Sequence, residues 1–227
     1  MSEKHREQID SGEQKISFQY ELVRKGIHLT SLSIPVFYYY VPKDIALWVL
    51  GVLTAAFVLG DVLRSFHEPS FRLYKKIFGR MLRGHEKSSR EKTLNGASWV
   101  LISAMLSVIL FPKLIAITAF SILIISDTAA ALYGRKFGML KFNGKSLEGT
   151  AAFVVSACIV IMFTPKVEHI PGEYFIAIAA AIVGALAEVF SFRIIDDNFA
   201  IPISIGITLW LLYLIFFPGM NVYVLEG

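Results

Sequence analysis

Between Ser126 and Thr150 the chain reads SDTAAALYGRKFGMLKFNGKSLEGT, and the residues in it able to do chemistry lie close together. Asp127 sits at the end of an apolar run. Small residues follow, and a short basic loop then carries Gly134, Arg135, Lys136, Gly138, Lys141, Gly144 and Lys145. The chain re-enters an apolar run through Ser146, Glu148 and Gly149. A carboxylate at a helix end, then glycine and lysine, then a new helix N-terminus is an arrangement suited to a metal-bound polyphosphate. The carboxylate holds a hard cation, glycine lets the backbone come close, and lysine with unpaired N–H groups meets the phosphates. The same stretch also reads as a cytosolic turn between two membrane helices, basic because such turns usually are. Spacing alone leaves both readings open.

The elements that must position these residues are apolar. Of 227 residues 55% are hydrophobic and 18% charged, and the charge falls in blocks between long apolar runs, as in an integral membrane protein. Seven apolar segments are predicted, over 27–41, 45–63, 94–111, 114–134, 147–163, 173–192 and 200–217. The expected fold is all-α, a polytopic bundle of about seven transmembrane helices behind a polar tail over 1–19, the membrane domain spanning 20–219. The first segment is the weakest, being short and holding Pro35. With the N-terminus in the cytosol, 19 of the 22 Lys and Arg residues fall on that side and only Lys43, Lys113 and Lys166 on the other. Within the basic segment 64–93, residues 70–83 are predicted to form an interfacial amphipathic helix. The single Cys158 allows neither an intrachain disulfide nor a thiolate metal site.

Further candidates lie at other segment ends. Glu21, Arg24, Lys25 and His28 are spaced to share one helical face. That face suits either a site or a self-paired anchor with its cations at lipid headgroups. Asp127 shares a small-residue stripe with Ala130, Ala131, Gly134 and Gly138, and Glu188 shares one with Ala177, Ala181 and Gly184. Such stripes turn toward neighbouring helices, and an intramembrane carboxylate is costly unless it is used, neutralised or paired. Asp196, Asp197 and Asn198 precede the last segment, where one of them suffices as a helix cap. On the expected topology all of these, with Asp61 and Glu91, fall at one membrane face. Carboxylates and cations gathered there suit phosphoryl transfer from a soluble nucleotide to a lipid headgroup, or a proton or cation relay in a transporter.

Arg24-Lys25-x-x-His28, then Asp127 with Gly134-Arg135-x-x-Gly138 and Lys145-Ser146-x-Glu148-Gly149, then Glu188 and Asp196-Asp197-Asn198, resembles the CTP-dependent lipid kinases. That family includes dolichol kinase, phytol kinase and the CTP-using diacylglycerol kinase, and the resemblance covers roughly residues 20–217. The central block is also similar to that of CDP-diacylglycerol synthases, but their downstream Lys-Arg…Lys-Asp…His-Gly-Gly signature is missing here. The resemblance implies transfer of the γ-phosphate of CTP to a polyprenol, a phytol-like alcohol or diacylglycerol. A cytidylyltransferase and a non-enzymatic transporter or scaffold are the rivals. It further implies magnesium held by Asp127, Glu148 and Glu188, and phosphates met by Arg24, Lys25, Arg135, Lys145, Ser146, Gly134, Gly138 and Gly149. Asp196 or Asp197 would act as base or second metal ligand, and His28 would help close the site. The partners implied are CTP, a lipid alcohol and membrane lipids rather than nucleic acid, at a site facing the cytosol.

Overall fold

A computed structural model describes residues 18–66, 72, 76, 94–191 and 196–226. Most of the expected amphipathic helix over 70–83 lies outside these residues, as do Glu91, Arg193 and the tail through residue 17. The described chain is an all-α membrane bundle: α1 (Phe18–Thr30), α2 (Ser33–Tyr40), α3 (Lys43–Phe66), α4 (Gly96–Leu110), α5 (Lys113–Phe137), α6 (Leu147–Phe163), α7 (Pro171–Phe190) and α8 (Asp197–Phe216). Between α5 and α6 a two-residue hairpin, β1 (Lys141–Phe142) with β2 (Lys145–Ser146), pairs antiparallel with Phe142 opposite Lys145.

Four helices, α3, α5, α7 and α8, are long and apolar enough to cross a membrane, and α4 and α6 are shorter apolar helices. The predicted first span is not one helix. Pro35 has no N–H to give the Ser31 carbonyl, so that carbonyl accepts from Ile34 at 2.9 Å instead, and the chain tightens into a turn between α1 and α2.

The bundle is built around α5. In its most apolar stretch 83% of residues are buried, against 22% for α3, because α5 is hydrophobic on every side. Ile115, Ile122, Leu123 and Ile124 are wholly enclosed. Helix α6 packs along α5, and α7 packs along α8 through its small-residue stripe. A Cβ on Gly184 would lie 2.5 Å from Ile205, so glycine is what lets α7 and α8 meet there. Helix α3 stays peripheral, tied to α4 by Asp61. That buried carboxylate accepts from the Asn95 N–H (2.8 Å) and the Ser98 hydroxyl (2.7 Å), fixing the start of α4.

The opposite end of the bundle is closed by a different acid. Glu173 is fully buried and accepts from the backbone N–H groups of Val167 (2.7 Å), Glu168 (3.0 Å) and Ile170 (3.2 Å), and from the Tyr213 hydroxyl at 2.7 Å. Lys166 caps the end of α6 through the carbonyls of Ile161 and Thr164. Glu173→Ala would leave three half-buried N–H groups without their acceptor, each costing about 1–3 kcal/mol before water enters. A net loss of roughly 2–4 kcal/mol is expected, read as a lower Tm in detergent, with the site at the other end keeping its geometry.

Candidate active site

Helix α5 ends, α6 begins, α7 ends and α8 begins at one end of the bundle, and α1 lies across α5 there. The hairpin bridges these ends. Its Asn143 and Gly144 take positive φ (50° and 78°), the tight turn that Asn-Gly favours. The Asn143 side chain donates to the Val189 carbonyl at 2.7 Å, and Phe142 meets Phe190 edge to face, so the tip is docked on the end of α7. Beneath the hairpin is a cavity of about 800 Å³. Arg135, Lys136, Lys141 and Lys145 line it together with Gly134, Gly138, Ser146, Gly149 and Glu188. Four cations against one carboxylate make a wall suited to a polyanion, and the volume suits a nucleotide-sized ligand.

Two charged groups flank this cavity. In the first, Lys25 from α1 donates to the carboxylate of Asp127 and reaches its main-chain oxygen at 3.3 Å. His28 Nε2 stands 3.5 Å from the same carboxylate. Glu21 pairs with Arg24 and, at 3.1 Å, with Arg135 of α5. The predicted face of α1 is therefore turned onto α5, where Glu21, Lys25 and His28 engage, while Arg24 pairs with Glu21 on its own helix. In the second group Lys145 bridges two acids, Glu188 at 3.1 Å and Asp197 at 2.7 Å. Burial by itself pushes the Lys145 ammonium down, but Asp197, then Glu188 and Asp127, outweigh it and hold the group above the usual lysine range. It is a fixed positive charge at the cavity wall.

The remaining predicted residues take more local places. Ser146 is the N-cap of α6, its hydroxyl accepting from the Gly149 N–H at 3.1 Å. Asp196 is the N-cap of α8 and accepts from the Asn198 N–H at 3.0 Å, while Asp197 turns to Lys145. One oxygen of Glu148 accepts from the Leu140 N–H at 3.1 Å and so braces the hairpin. Its other oxygen and Oε2 of Glu188 are buried without a hydrogen-bond partner.

Gly134, Gly138 and Gly149 border the cavity, but their missing side chains are first a matter of packing. A Cβ on Gly134 would fall 2.5 Å from the Ser146 hydroxyl and 3.1 Å from Gly149 Cα. Gly134→Ala is expected to push α5 from α6, cost about 1–3 kcal/mol, and weaken nucleotide binding measured by calorimetry more than it lowers Tm. An alanine variant with unchanged nucleotide affinity would show that the close approach is not needed by the cavity.

Among the described residues no three His, Cys, Asp or Glu side chains gather as a metal cage. The acids are interleaved with lysines instead. Magnesium seldom needs a full protein cage, since it binds one or two carboxylates and takes its other ligands from substrate phosphates and water. The unpartnered Glu188 oxygen, on a residue that lines the cavity, is consistent with such a shared ion. Ser191, whose hydroxyl donates to Asp197, and Asn143 were not legible as site residues. Serine and asparagine beside charged neighbours carry no distinguishing spacing.

No protein-family model and no solved structure matches the chain. It is 30% identical over 217 residues to CTP-dependent diacylglycerol kinase 1 of Schizosaccharomyces pombe, covering 88% of this chain and 95% of that protein. The enzyme of the same name from Saccharomyces cerevisiae is 31% identical over 210 residues, covering 82% of this chain and 71% of the relative. An uncharacterized protein of Rickettsia prowazekii is 32% identical over 188 residues, 82% of this chain and 92% of that one.

Proposed function

The chain belongs to the CTP-dependent lipid kinase family, and on that premise we propose that it transfers the γ-phosphate of CTP to the hydroxyl of a lipid alcohol at the end of the bundle that holds Asp127 and Lys145. The supporting observation is the cavity wall of Arg135, Lys136, Lys141 and Lys145 with buried acids from α5 and α7 beside it. Diacylglycerol is the lipid named for the relatives and is the first acceptor to test; a polyprenol and a phytol-like alcohol are the next.

In the transfer, the lipid oxygen attacks the γ-phosphorus as the bond to the bridging β–γ oxygen breaks. CDP leaves, and the hydroxyl proton passes to a carboxylate. Little covalent chemistry is asked of the protein, so positioning and charge neutralisation carry the rate. Lys145 and Arg135 hold the phosphates. Asp197, 2.7 Å from Lys145, takes the proton. Asp127 and Glu188 would hold magnesium, with the second oxygen of Glu148 also within the candidate set; the ion when bound neutralises charge on the phosphates. Lys25 and His28 keep Asp127 oriented from α1. We further place this end of the bundle at the cytosol, with the N-terminus on the same side and α1–α2 completing a set of seven crossings. The reason is the charge asymmetry, which leaves only Lys43, Lys113 and Lys166 for the far side.

The deciding experiment follows the label. Purified protein in detergent is incubated with γ-labelled CTP, magnesium and each candidate lipid. Label in the lipid is the expected result. Label in pyrophosphate with a cytidylated lipid would make it a cytidylyltransferase, and no CTP consumption with any lipid would leave the transporter or scaffold reading.

A further inference from the structure

The hairpin over the cavity is inside out for a loop in water. The amide at its tip is tied down, Asn143 donating to the Val189 carbonyl, while its apolar side chains are left exposed. Met139 is 83% exposed, Leu140 62% and Phe142 55%. Phe142 stacks edge to face on Phe190, itself 63% exposed. Phe190 ends the outward stripe of α7 made with Val183 and Leu186, at helical spacing. The apolar edge of the hairpin therefore continues the surface that α7 shows to lipid. Two exposed cations border it, Lys136, which lies 5.1 Å over the Phe137 ring, and Lys141. Aromatic rings with lysines beside them at the end of an apolar belt match the headgroup layer of a bilayer, where the ring meets acyl chain and the ammonium meets phosphate.

We propose that the edge formed by Met139, Leu140 and Phe142 is embedded in the headgroup layer of an anionic bilayer and forms the lipid-side wall of the cavity. Gly138 and Gly144 on the same short segment line the cavity itself, with the exposed Lys136 and Lys141 at its rim, so one element has bilayer on its outer side and the polyanion site on its inner side. A lipid headgroup passing this edge reaches the cavity without its chains leaving the membrane. That second half rests on the kinase reading; the membrane contact does not.

The test uses the full chain in nanodiscs containing anionic lipid. A bimane label at M139C, in a C158A background, reports the contact. Quenching by lipids brominated high on the acyl chain, with little quenching by aqueous iodide, is expected. Quenching by iodide alone places the edge in water and overturns the proposal. Protection from both places it against a second copy or another protein, and also overturns it. Separately, Met139→Asp should raise the surface-concentration KM for the lipid acceptor about tenfold, the scale of one apolar side chain moved out of lipid, with the KM for CTP changed less than twofold. An unchanged lipid KM, or an equal rise in the CTP KM, overturns the delivery half. If the unaltered protein phosphorylates no lipid while bromine still quenches, the kinase reading falls and the membrane contact stands.

Discussion

Asp127→Asn is expected to lower CTP-dependent lipid phosphorylation about 10³-fold or more, the range seen when a preorganised charge at a transition state is removed. The change keeps shape and volume. The amide oxygen still accepts from Lys25, whose ammonium now touches both the side chain and the main-chain oxygen of the residue. What is lost is the negative charge, and with it the means of holding a cation against phosphate. Insertion should survive, because the helix that carries the residue is held by packing along almost its whole length. Leaving the buried Lys25 ammonium without its counter-charge should lower Tm. Size-exclusion behaviour and protease accessibility check that point, and labelled phosphate in lipid checks the rate. Near-normal turnover would remove Asp127 from the site. Lys25→Met should be milder in rate, since the carboxylate remains.

Lys145→Met should have the second largest effect, acting on both rate and stability. The ammonium is shared by Glu188 and Asp197, so its removal leaves two acids facing each other with no cation between them. Breaking a fully enclosed pair costs about 3–5 kcal/mol. Lys145 is a third exposed, so solvent screening lowers the expected loss to about 1–3 kcal/mol. The rate should fall roughly 10²–10³-fold through weaker phosphate neutralisation. The two contributions separate in the double variant. Glu188→Gln added to Lys145→Met should restore part of the Tm while leaving the rate low, giving a non-additive cycle. Restored turnover would assign Lys145 to folding alone.

Much of the scaffold was legible because its signals are local. Helix α6 runs over the predicted residues 147–163, since Ser146 caps it and apolar residues fill it. The small-residue stripe on α7 marks its buried face, whereas α5 is enclosed on almost every side and its stripe singles out no face. The interruption between α1 and α2 was signalled by Pro35, but the depth of the break depends on which carbonyl the tightened turn satisfies. The hairpin was read only as a basic glycine-rich loop. Asn143-Gly144 is a strong turn signal, yet the strands on either side are two residues long and do not alternate in polarity. Site membership was more readable than site pairing. That Asp127, Glu188 and Asp197 gather at one end follows from alternating helices. That Lys25 goes to Asp127 while Lys145 takes the other two is a tertiary outcome with no local trace. Glu173 looked like the first residue of a span, and nothing in its spacing shows that three backbone N–H groups turn toward it.

The contact between Lys25 and Asp127 joins residues 102 positions apart. A ribosome adding about 5–20 residues per second leaves roughly 5–20 s between the emergence of the two. For that interval the N-terminal helix carries an ammonium whose counter-charge has not yet been made. Helix α1 cannot make this contact until α5 has been threaded. Closure of this end is thus ordered in time, with the α1 contact to α5 formed only once the later helix exists.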